Sequence, residues 1–321
     1  MTGAQPVFSI VIPLHDEEAV LPLLYERLVT VLDDLEGSSE VILVDDGSRD
    51  GTYGLAVELH GRDPRVKVVR FSRNFGHQIA LSAGLDLAQG EAIVTMDGDL
   101  QHPPETIPEF VAAWRDGHDI VYGVMAERQG ESVTKGITAR AFYRLFRWLA
   151  DIDAPAAAGD FRLVDRKALD AFRAMRESNR YLRGMFSWIG FRQTGVSFVS
   201  PPRPAGRSKY TLGRMIRLAM NAIVSFSDRP LRLALTLGFV VSLGSVFFGL
   251  SAVVVKLTGG FAVPGWASIM ILVGIVGGIQ LMVIGVIGEY VARIYDEVKR
   301  RPLYVVSELH GLAGREQSGW R

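Results

Sequence analysis

The last third of the chain contains two long segments without a charged residue, and these limit the architecture more than any other feature. The segments are 233–255 and 266–288. As α-helices, each would be about 35 Å long at about 1.5 Å per residue, which exceeds the roughly 30 Å of a bilayer's hydrocarbon core. The sequence therefore predicts a two-helix transmembrane hairpin, at about 231–255 and 266–290, that follows a water-soluble region.

The charges around the hairpin predict its orientation. The connection between the two segments carries one cation, Lys256. The outer flanks carry six, which are Arg229, Arg232, Arg293, Lys299, Arg300 and Arg301. The positive-inside rule places such flanks in the cytoplasm, and the first residues lack the basic start and apolar core of a signal peptide. We therefore expect a multi-pass protein of the inner membrane, with its water-soluble region and both termini in the cytoplasm.

The overall composition excludes several classes of function. Lys plus Arg and Asp plus Glu both number 35, so net charge gives no indication of a nucleic-acid partner. The chain has no cysteine, which excludes disulfides, thiolate metal sites and a cysteine nucleophile.

Four short apolar runs, at 7–14, 40–44, 66–71 and 92–96, alternate with helical patterns in the water-soluble region. Runs of this length are typical of buried strands, and strand–helix alternation is typical of a parallel sheet. The fold class predicted is therefore α/β, with a doubly wound, mostly parallel sheet and right-handed crossovers. A further strand at 121–124 is expected at the edge of this sheet.

Carboxylates follow three of the four predicted strands. They are Glu17, then Asp45 and Asp46, then Asp97 and Asp99. Helix N-capping favours Asp at such positions, but it does not explain three acidic clusters after neighbouring strands. Because the carboxyl ends of parallel strands share one edge of a sheet, we expect a common nucleotide-binding site there.

Asp97-Gly98-Asp99 is the part of this edge that favours a metal site. Two carboxylates one residue apart at a strand end point the same way, and Gly98 is expected to let a ligand approach the backbone. Such a pair can hold a hard divalent cation that shares its other ligands with substrate phosphates. The alternative is an ordinary polar turn.

Four stretches, PLHDEE, ILVDDGSRDGT, RNFGHQIALSAGLDLAQGE and VTMDGDLQHPPE, occur in this order. Together they resemble the nucleotide-binding half of family 2 glycosyltransferases of the GT-A fold. The glycine-rich N-terminal run of sugar nucleotidylyltransferases is absent from the sequence. The resemblance implies that a nucleotide sugar is bound by Pro13, His15, Glu17, Asp46, Asp97, Gln101 and Arg128. The family usually has Tyr-Asn where this chain has His15-Asp16, so the identity of the base stays open.

The same resemblance implies roles for the acidic residues. Asp97 and Asp99 would bind Mg²⁺ or Mn²⁺ with the donor's diphosphate, and Asp99 would take part in catalysis. Arg128 could reach that diphosphate or be a solvated loop charge. In Gly159-Asp160-Phe161-Arg162-Leu163, which we expect to be a loop before a helix, Asp160 resembles the acceptor-side carboxylate of polyprenyl-phosphate glycosyltransferases. Whether Asp160 acts as a base or orients a substrate stays open.

A basic loop precedes the hairpin. Its pattern R-x-x-G-x-S-K resembles dolichyl-phosphate mannose synthases and bacterial polyprenyl-phosphate glucosyltransferases, and implies an acceptor-phosphate site formed by Arg203, Arg207, Ser208 and Lys209. A juxtamembrane segment held by anionic lipid is the alternative. An amphipathic helix at 138–149 is expected either on the lipid surface or packed on the sheet, and another at 212–226 leads into the first span.

The predicted domains are a GT-A domain at 1–210, an interfacial helix at 211–230, the two spans at 231–292, and a cytoplasmic tail at 293–321. The resemblance implies a homo-oligomer, a tetramer, formed through the hairpin and tail, with 301–306 as a strand that could add to a neighbouring copy.

The function expected is inverting, metal-dependent transfer of a sugar from a nucleotide diphosphate sugar, such as UDP-glucose, to polyprenyl (undecaprenyl) phosphate. A GDP-mannose-using synthase and a non-enzymatic, membrane-anchored nucleotide-sugar sensor are the alternatives. A processive polysaccharide synthase would require a Q-x-x-R-W motif and more spans, which the sequence lacks.

Overall fold

The computed structural model describes residues 6–126, 158–201, 227–258 and 265–312. The chain forms two compact units. The first, the sheet unit, includes the described residues up to 201 together with 301–312. The second, the helical unit, includes 227–258 and 265–300. The predicted helices at 138–149 and 212–226 lie outside the described residues.

The sheet unit alternates strands and helices, as the apolar runs predict. Its first half consists of β1 (Phe8–Leu14), α1 (Leu21–Asp34), β2 (Ser39–Asp45), α2 (Thr52–Arg62), β3 (Val66–Phe71), α3 (His77–Leu87) and β4 (Ala92–Thr95). Its second half consists of a 3₁₀ turn (Pro104–Thr106), α4 (Ile107–Arg115), β5 (Ile120–Met125), β6 (Ala158–Asp165), α5 (Arg166–Ala174), α6 (Leu182–Trp188), β7 (Gln193–Phe198) and β8 (Val306–His310).

The described strands form one eight-stranded sheet in the order β7-β5-β6-β4-β1-β2-β3-β8. Strand pairs β1–β2, β1–β4, β2–β3 and β5–β7 are parallel, whereas β3–β8, β4–β6 and β5–β6 are antiparallel. The predicted doubly wound, mostly parallel sheet is therefore confirmed. Every residue of β1 is buried, which is why its sequence is a continuous apolar run.

Three details of the sheet differ from the sequence-based expectations. β5 is an interior strand, because it pairs with both β6 and β7. Asp160 lies in β6 and not in a loop. The strand expected at 301–306 begins only at Val306 and pairs with β3 of its own chain. In each case a tertiary strand partner supplies backbone hydrogen bonds that local sequence does not reveal.

The C-terminal strand is fastened to the sheet by side chains as well as by backbone. The Tyr53 hydroxyl donates to Glu308 Oε2 at 2.6 Å and lies 2.9 Å from His310 Nε2. The Arg70 guanidinium donates to Glu308 at 2.9 Å and lies over the Tyr53 ring. Desolvation and the neighbouring carboxylate of Glu308 raise the pKa of Tyr53 to about 12, so the phenol keeps the proton that makes this contact.

The helical unit contains α7 (Arg229–Leu257) and α8 (Trp266–Lys299). Both are long and apolar enough to cross a membrane, over Arg229–Ser251 and Leu272–Lys299. Only 6% and 0% of the residues in their most apolar windows are buried in the structure. Helices of a water-soluble core would be mostly buried, so these two are candidate membrane spans.

The turn after β2 generates a prediction about stability. Gly47 has φ +68°, and an added Cβ would lie 2.7 Å from the backbone of Arg73 and Asn74. We expect Gly47→Ala to destabilise the sheet unit by about 1–3 kcal/mol, because it combines an unfavourable φ with a backbone clash. The measurement is the apparent melting temperature of the full chain in detergent.

Gly54→Ala is the matched control for this substitution. Gly54 lies in α2, and no described atom comes within 4 Å of an added Cβ. Alanine in a helix interior is favoured by roughly 0.5–1 kcal/mol over glycine, so this variant should melt at the same temperature or higher. Equal melting of both variants would contradict the described backbone of the turn.

Candidate active site

The strand order defines where a ligand can bind. From β1 the chain proceeds to β2 and β3 on one side, whereas β4 lies on the other side of β1. Such a reversal of strand order opens a crevice at the carboxyl ends of the strands, where ligands bind in open α/β sheets. The predicted site residues that follow β1, β2 and β4 all come to this edge.

The segment after β1 is fixed against the segment after β2. His15 Nδ1 lies 3.0 Å from the Asp46 carbonyl oxygen, and its Nε2 lies 3.2 Å from the Asn74 side-chain amide. The backbone N–H of Glu17 donates to the Thr52 hydroxyl at 2.8 Å. Pro13 is buried within β1. The His15 side chain keeps 37% of its surface exposed, which leaves a ring face available for stacking.

Asp46 binds the protein's own backbone with both carboxylate oxygens. The N–H of Phe75 donates to Oδ1 at 2.6 Å, and the N–H of Gly76 donates to Oδ2 at 2.9 Å. Burial raises the pKa of Asp46, and these two donors oppose that rise. The carboxylate therefore shapes the loop before α3, and this loop in turn contacts His15 through Asn74.

The Asp97-Gly98-Asp99 turn is rigid. The Asp97 N–H donates to His102 Nδ1 at 2.9 Å, and the His102 ring stacks on Phe161 with centroids 4.8 Å apart. The Gln101 N–H donates to Asp99 Oδ1 at 3.1 Å. Leu100, which directly follows Asp99, has φ +62°. This conformation costs a non-glycine residue about 1 kcal/mol or more.

The expectation for Gly98 needs a correction. An added Cβ at Gly98 would lie 2.8 Å from the Leu14 side chain and 3.1 Å from the Pro13 carbonyl oxygen. The space beside Gly98 is therefore filled by β1, and glycine is required there for strand packing. It does not serve as an opening through which a ligand approaches the backbone.

The turn fits a divalent cation in one respect. Asp97 Oδ1 is buried, and no described group donates a hydrogen bond to it; its nearest cation is His77 Nε2, at 3.3 Å. A buried carboxylate oxygen without a donor is costly unless something satisfies it. Within the described residues, no three His, Asp or Glu side chains are grouped to hold a metal, so further ligands would have to be substrate oxygens and water.

Asp160 reaches the same edge from β6. Because β6 runs antiparallel to β4, with Thr95 opposite Arg162, the beginning of β6 lies beside the end of β4. The Thr95 hydroxyl donates to the Asp160 carbonyl oxygen at 2.6 Å. The sheet therefore brings Asp160 to the segment that carries Asp97.

The Asp160 carboxylate is buried and enclosed by donors. Arg183 donates from Nε to Oδ1 at 3.1 Å and from Nη2 to Oδ2 at 3.2 Å. Gln78 Nε2 donates to Oδ2 at 3.2 Å, while the side-chain oxygen of Gln78, Oε1, accepts a hydrogen bond from the backbone N–H of Leu182. Burial opposes ionisation, but His77 and Arg183 lower the pKa of Asp160 well below its usual range.

His77 lies between the two acidic groups. Its Nε2 is 3.3 Å from Asp97 Oδ1 and 3.6 Å from Asp160 Oδ2. Desolvation disfavours the charged ring, but the carboxylates of Asp160 and Asp97 outweigh it and raise the pKa of His77 to about 9. The side chain is 43% exposed, so a ligand can reach it.

Three residues that surround Asp160 had no predicted role: His77, Gln78 and Arg183. His77 and Gln78 lie in the quoted stretch RNFGHQ, and their position at the first turn of α3, after a strand end, is a signal that could have identified them. Arg183 lies in α6, and only the tertiary packing of α6 against β6 indicates its partner. The predicted residues Arg128, Arg203, Arg207, Ser208 and Lys209 lie outside the described residues.

Comparison with known proteins agrees with this picture. The family Glycosyl transferase family 2 matches residues 9–173. An uncharacterized glycosyltransferase, YkcC, of Bacillus subtilis (strain 168) is 44% identical over 308 residues, which cover 96% of this chain and 95% of that protein. Bactoprenol glucosyl transferase of Shigella phage SfII is 35% identical over 302 residues, which cover 94% of this chain and 98% of that protein.

Among solved structures, glucosyl-3-phosphoglycerate synthase from Mycobacterium tuberculosis, in complex with Mn²⁺, UDP-glucose and phosphoglyceric acid, is similar with a TM-score of 0.48. It is 20% identical, and the match covers 68% of this chain and 79% of that chain. The resemblance inferred from the sequence motifs is confirmed by the family match and by relatives of nearly the same length. The chain therefore belongs to glycosyltransferase family 2, as a transferase whose sheet unit has the GT-A fold.

Proposed function

We propose that this enzyme transfers a sugar, glucose, from UDP-glucose to a polyprenyl phosphate at the cytoplasmic face of the inner membrane. The observation that carries the proposal is the convergence of Asp97, His77 and Asp160 at the carboxyl edge of the sheet. It occurs in a chain that is related over 94% of its length to a bactoprenol glucosyl transferase. The two candidate membrane spans support an acceptor that is a lipid.

The donor's nucleoside is assigned to the segments after β1 and β2. The half-exposed His15 ring can stack on the base, and Glu17 lies at the start of the same polar segment. Pro13 is buried and acts through the backbone. Asp46 supports the site indirectly, because it holds the loop that contacts His15.

The diphosphate is assigned to the turn after β4. Asp97 and Asp99 would hold Mg²⁺ or Mn²⁺ there, and Gln101 and Arg128 complete the proposed set of donor-binding residues. A bound divalent cation neutralises charge on the diphosphate as the bond to the sugar breaks. The buried Asp97 Oδ1, which accepts no hydrogen bond from a described residue and has His77 Nε2 at 3.3 Å, supports this assignment.

The acceptor's phosphate is assigned to the basic loop before the helical unit. Arg203 and Lys209, with Arg207 and Ser208, would orient one phosphate oxygen towards the anomeric carbon of the sugar. That oxygen forms the new bond to the anomeric carbon while the bond to the diphosphate breaks, so UDP leaves with the electron pair and the configuration inverts. A phosphate monoester has its second pKa near ~6 and is mostly dianionic at neutral pH, so its attacking oxygen carries no proton to remove.

The two candidate membrane spans support a reaction at the membrane. A UDP-sugar is water-soluble, whereas the phosphate of a polyprenyl lipid lies at the bilayer surface, so a chain that has both a water-soluble unit and two spans suits this pair of substrates. We extend the proposal to a homo-oligomer, a tetramer, formed through the helical unit. The glycines of α8 would permit close helix packing in such an assembly.

The transfer reaction itself is a prediction of the proposed function. Purified full-length protein should form a labelled lipid from radiolabelled UDP-glucose and undecaprenyl phosphate in detergent, only with Mg²⁺ or Mn²⁺, and EDTA should abolish it. A panel with other UDP-sugars and GDP-mannose tests the identity of the donor. A GDP-mannose product would replace the donor assignment, and nucleotide binding without any product would favour the sensor alternative.

The metal-site assignment predicts the behaviour of two near-isosteric variants. Asp97→Asn and Asp99→Asn should each lower kcat/KM by at least about 100-fold, because each removes a negative oxygen ligand. The apparent affinity for Mn²⁺ should fall in parallel. The matched control is Asp34→Asn, at the exposed end of α1, which should retain wild-type kinetics. Full activity of either site variant at low Mn²⁺ would contradict the assignment.

A further inference from the structure

The surroundings of Asp160 limit what its carboxylate can do. A carboxylate has about four acceptor positions. In Asp160 three of them already receive hydrogen bonds, two from the Arg183 guanidinium and one from the Gln78 amide. The carboxylate is therefore held in one orientation, and the exposed His77 ring, with Nε2 3.6 Å from Oδ2, lies between it and the side from which a ligand can approach.

The same contacts make Asp160 a poor proton acceptor. Protonation would remove the negative charge that the Arg183 guanidinium binds, and would weaken two charge-assisted hydrogen bonds. Arginine does not give up its own proton in compensation. The other basic groups near the carboxylate are the His77 ring from α3, whose Nε2 lies 3.6 Å from Oδ2, and the cationic Arg162 on β6 itself. Asp160 is thus maintained as an anion.

The position of Asp160 indicates which substrate it meets. A single side chain, His77, separates Asp160 from Asp97, since its Nε2 approaches both. A sugar attached to a diphosphate beside Asp97 would extend into this region. A carboxylate accepts hydrogen bonds from the hydroxyl donors of a neutral sugar, whereas a phosphate dianion has no donor to offer it, so the sugar is the favoured partner.

We propose that Arg183 is a positioning residue, which holds Asp160 as a fixed carboxylate that accepts hydrogen bonds from the hydroxyl groups of the donor's sugar. The inference rests on the proposed function for the identity of the donor. It assigns Asp160 to sugar recognition instead of proton removal, and it assigns Arg183 a role that acts through Asp160.

The test compares the affinities of full-length protein in detergent for UDP-glucose and for UDP, both with Mn²⁺, by isothermal titration calorimetry. Arg183→Gln and Asp160→Asn should each weaken UDP-glucose binding about tenfold, as the loss of a charge-assisted contact implies. Each should change UDP binding less than about twofold, because UDP lacks the sugar. Arg183→Lys, which keeps the charge but not the fork, should give an intermediate ratio of the two affinities.

A double variant tests whether Arg183 acts through Asp160. Because the two residues serve one contact, Asp160→Asn with Arg183→Gln should bind UDP-glucose no more weakly than Asp160→Asn alone. The matched control is Arg176→Gln, which removes another Arg–Asp ion pair on the same unit, in which Arg176 Nη1 donates to both carboxylate oxygens of Asp86. This control should leave both affinities unchanged.

Three results would overturn the inference. Arg183→Gln could weaken UDP and UDP-glucose equally, as a general structural defect would. The losses in the double variant could multiply. Asp160→Asn could retain UDP-glucose affinity while turnover is lost, as expected for a base.

Protein that binds UDP-glucose but transfers nothing to the lipid would contradict the proposed function alone, because the affinity ratio needs no acceptor. Protein that binds neither ligand would contradict both.

Discussion

The antiparallel pairing of β6 with β4 is the constraint on which the candidate site depends. It brings Asp160, from beyond residue 126, to the carboxyl ends of β1, β2 and β4. The Thr95 hydroxyl adds a side-chain hydrogen bond to the Asp160 carbonyl oxygen. Without this register Asp160 would not lie within reach of His77, and the Asp97-Gly98-Asp99 turn and the strand that carries Asp160 would be separate features.

Burying Asp160 at this place requires compensation. An unpaired buried carboxylate costs several kcal/mol, and a buried pair is tolerated only when the remaining lone pairs are also satisfied. The first turns of α3 and α6 supply these donors through Gln78 and Arg183, and the N–H of Leu182 fixes the orientation of the Gln78 amide. The arrangement links two helix starts to one strand, so it organises the site as well as stabilising the charge.

The sequence allowed much of the fold to be predicted, and for a physical reason. The strands β1 to β4 are mostly buried parallel strands rich in apolar residues, and the prediction located each of them to within two residues. β6 carries Asp160 and Arg162 on one face and Phe161 and Leu163 on the other, so its pattern is mixed. β8 has charged side chains and exists because β3 offers a free edge. The position of β6 and of β8 in the sheet is therefore determined by the neighbouring strands with which they pair.

The candidate site also has some features that local sequence predicts and others that depend on tertiary contacts. Carboxylates directly after strands were predictable, because topology brings the ends of parallel strands together. Three other features were not predictable. They are the packing of Gly98 against Leu14, the hydrogen bonds of Asp46 to backbone N–H groups, and the contact of Arg183 with Asp160. Each depends on a residue distant in sequence, and no local pattern records such a pairing.

The location of Mn²⁺ in a complex with UDP-glucose tests the central claim most directly. The measurement is the anomalous diffraction of Mn²⁺ in crystals of the full-length protein soaked with both ligands. The account predicts one strong peak between the carboxylates of Asp97 and Asp99 and the donor's diphosphate, with the sugar on the side of Asp160. A peak elsewhere on the protein, or a sugar directed away from Asp160, would contradict it.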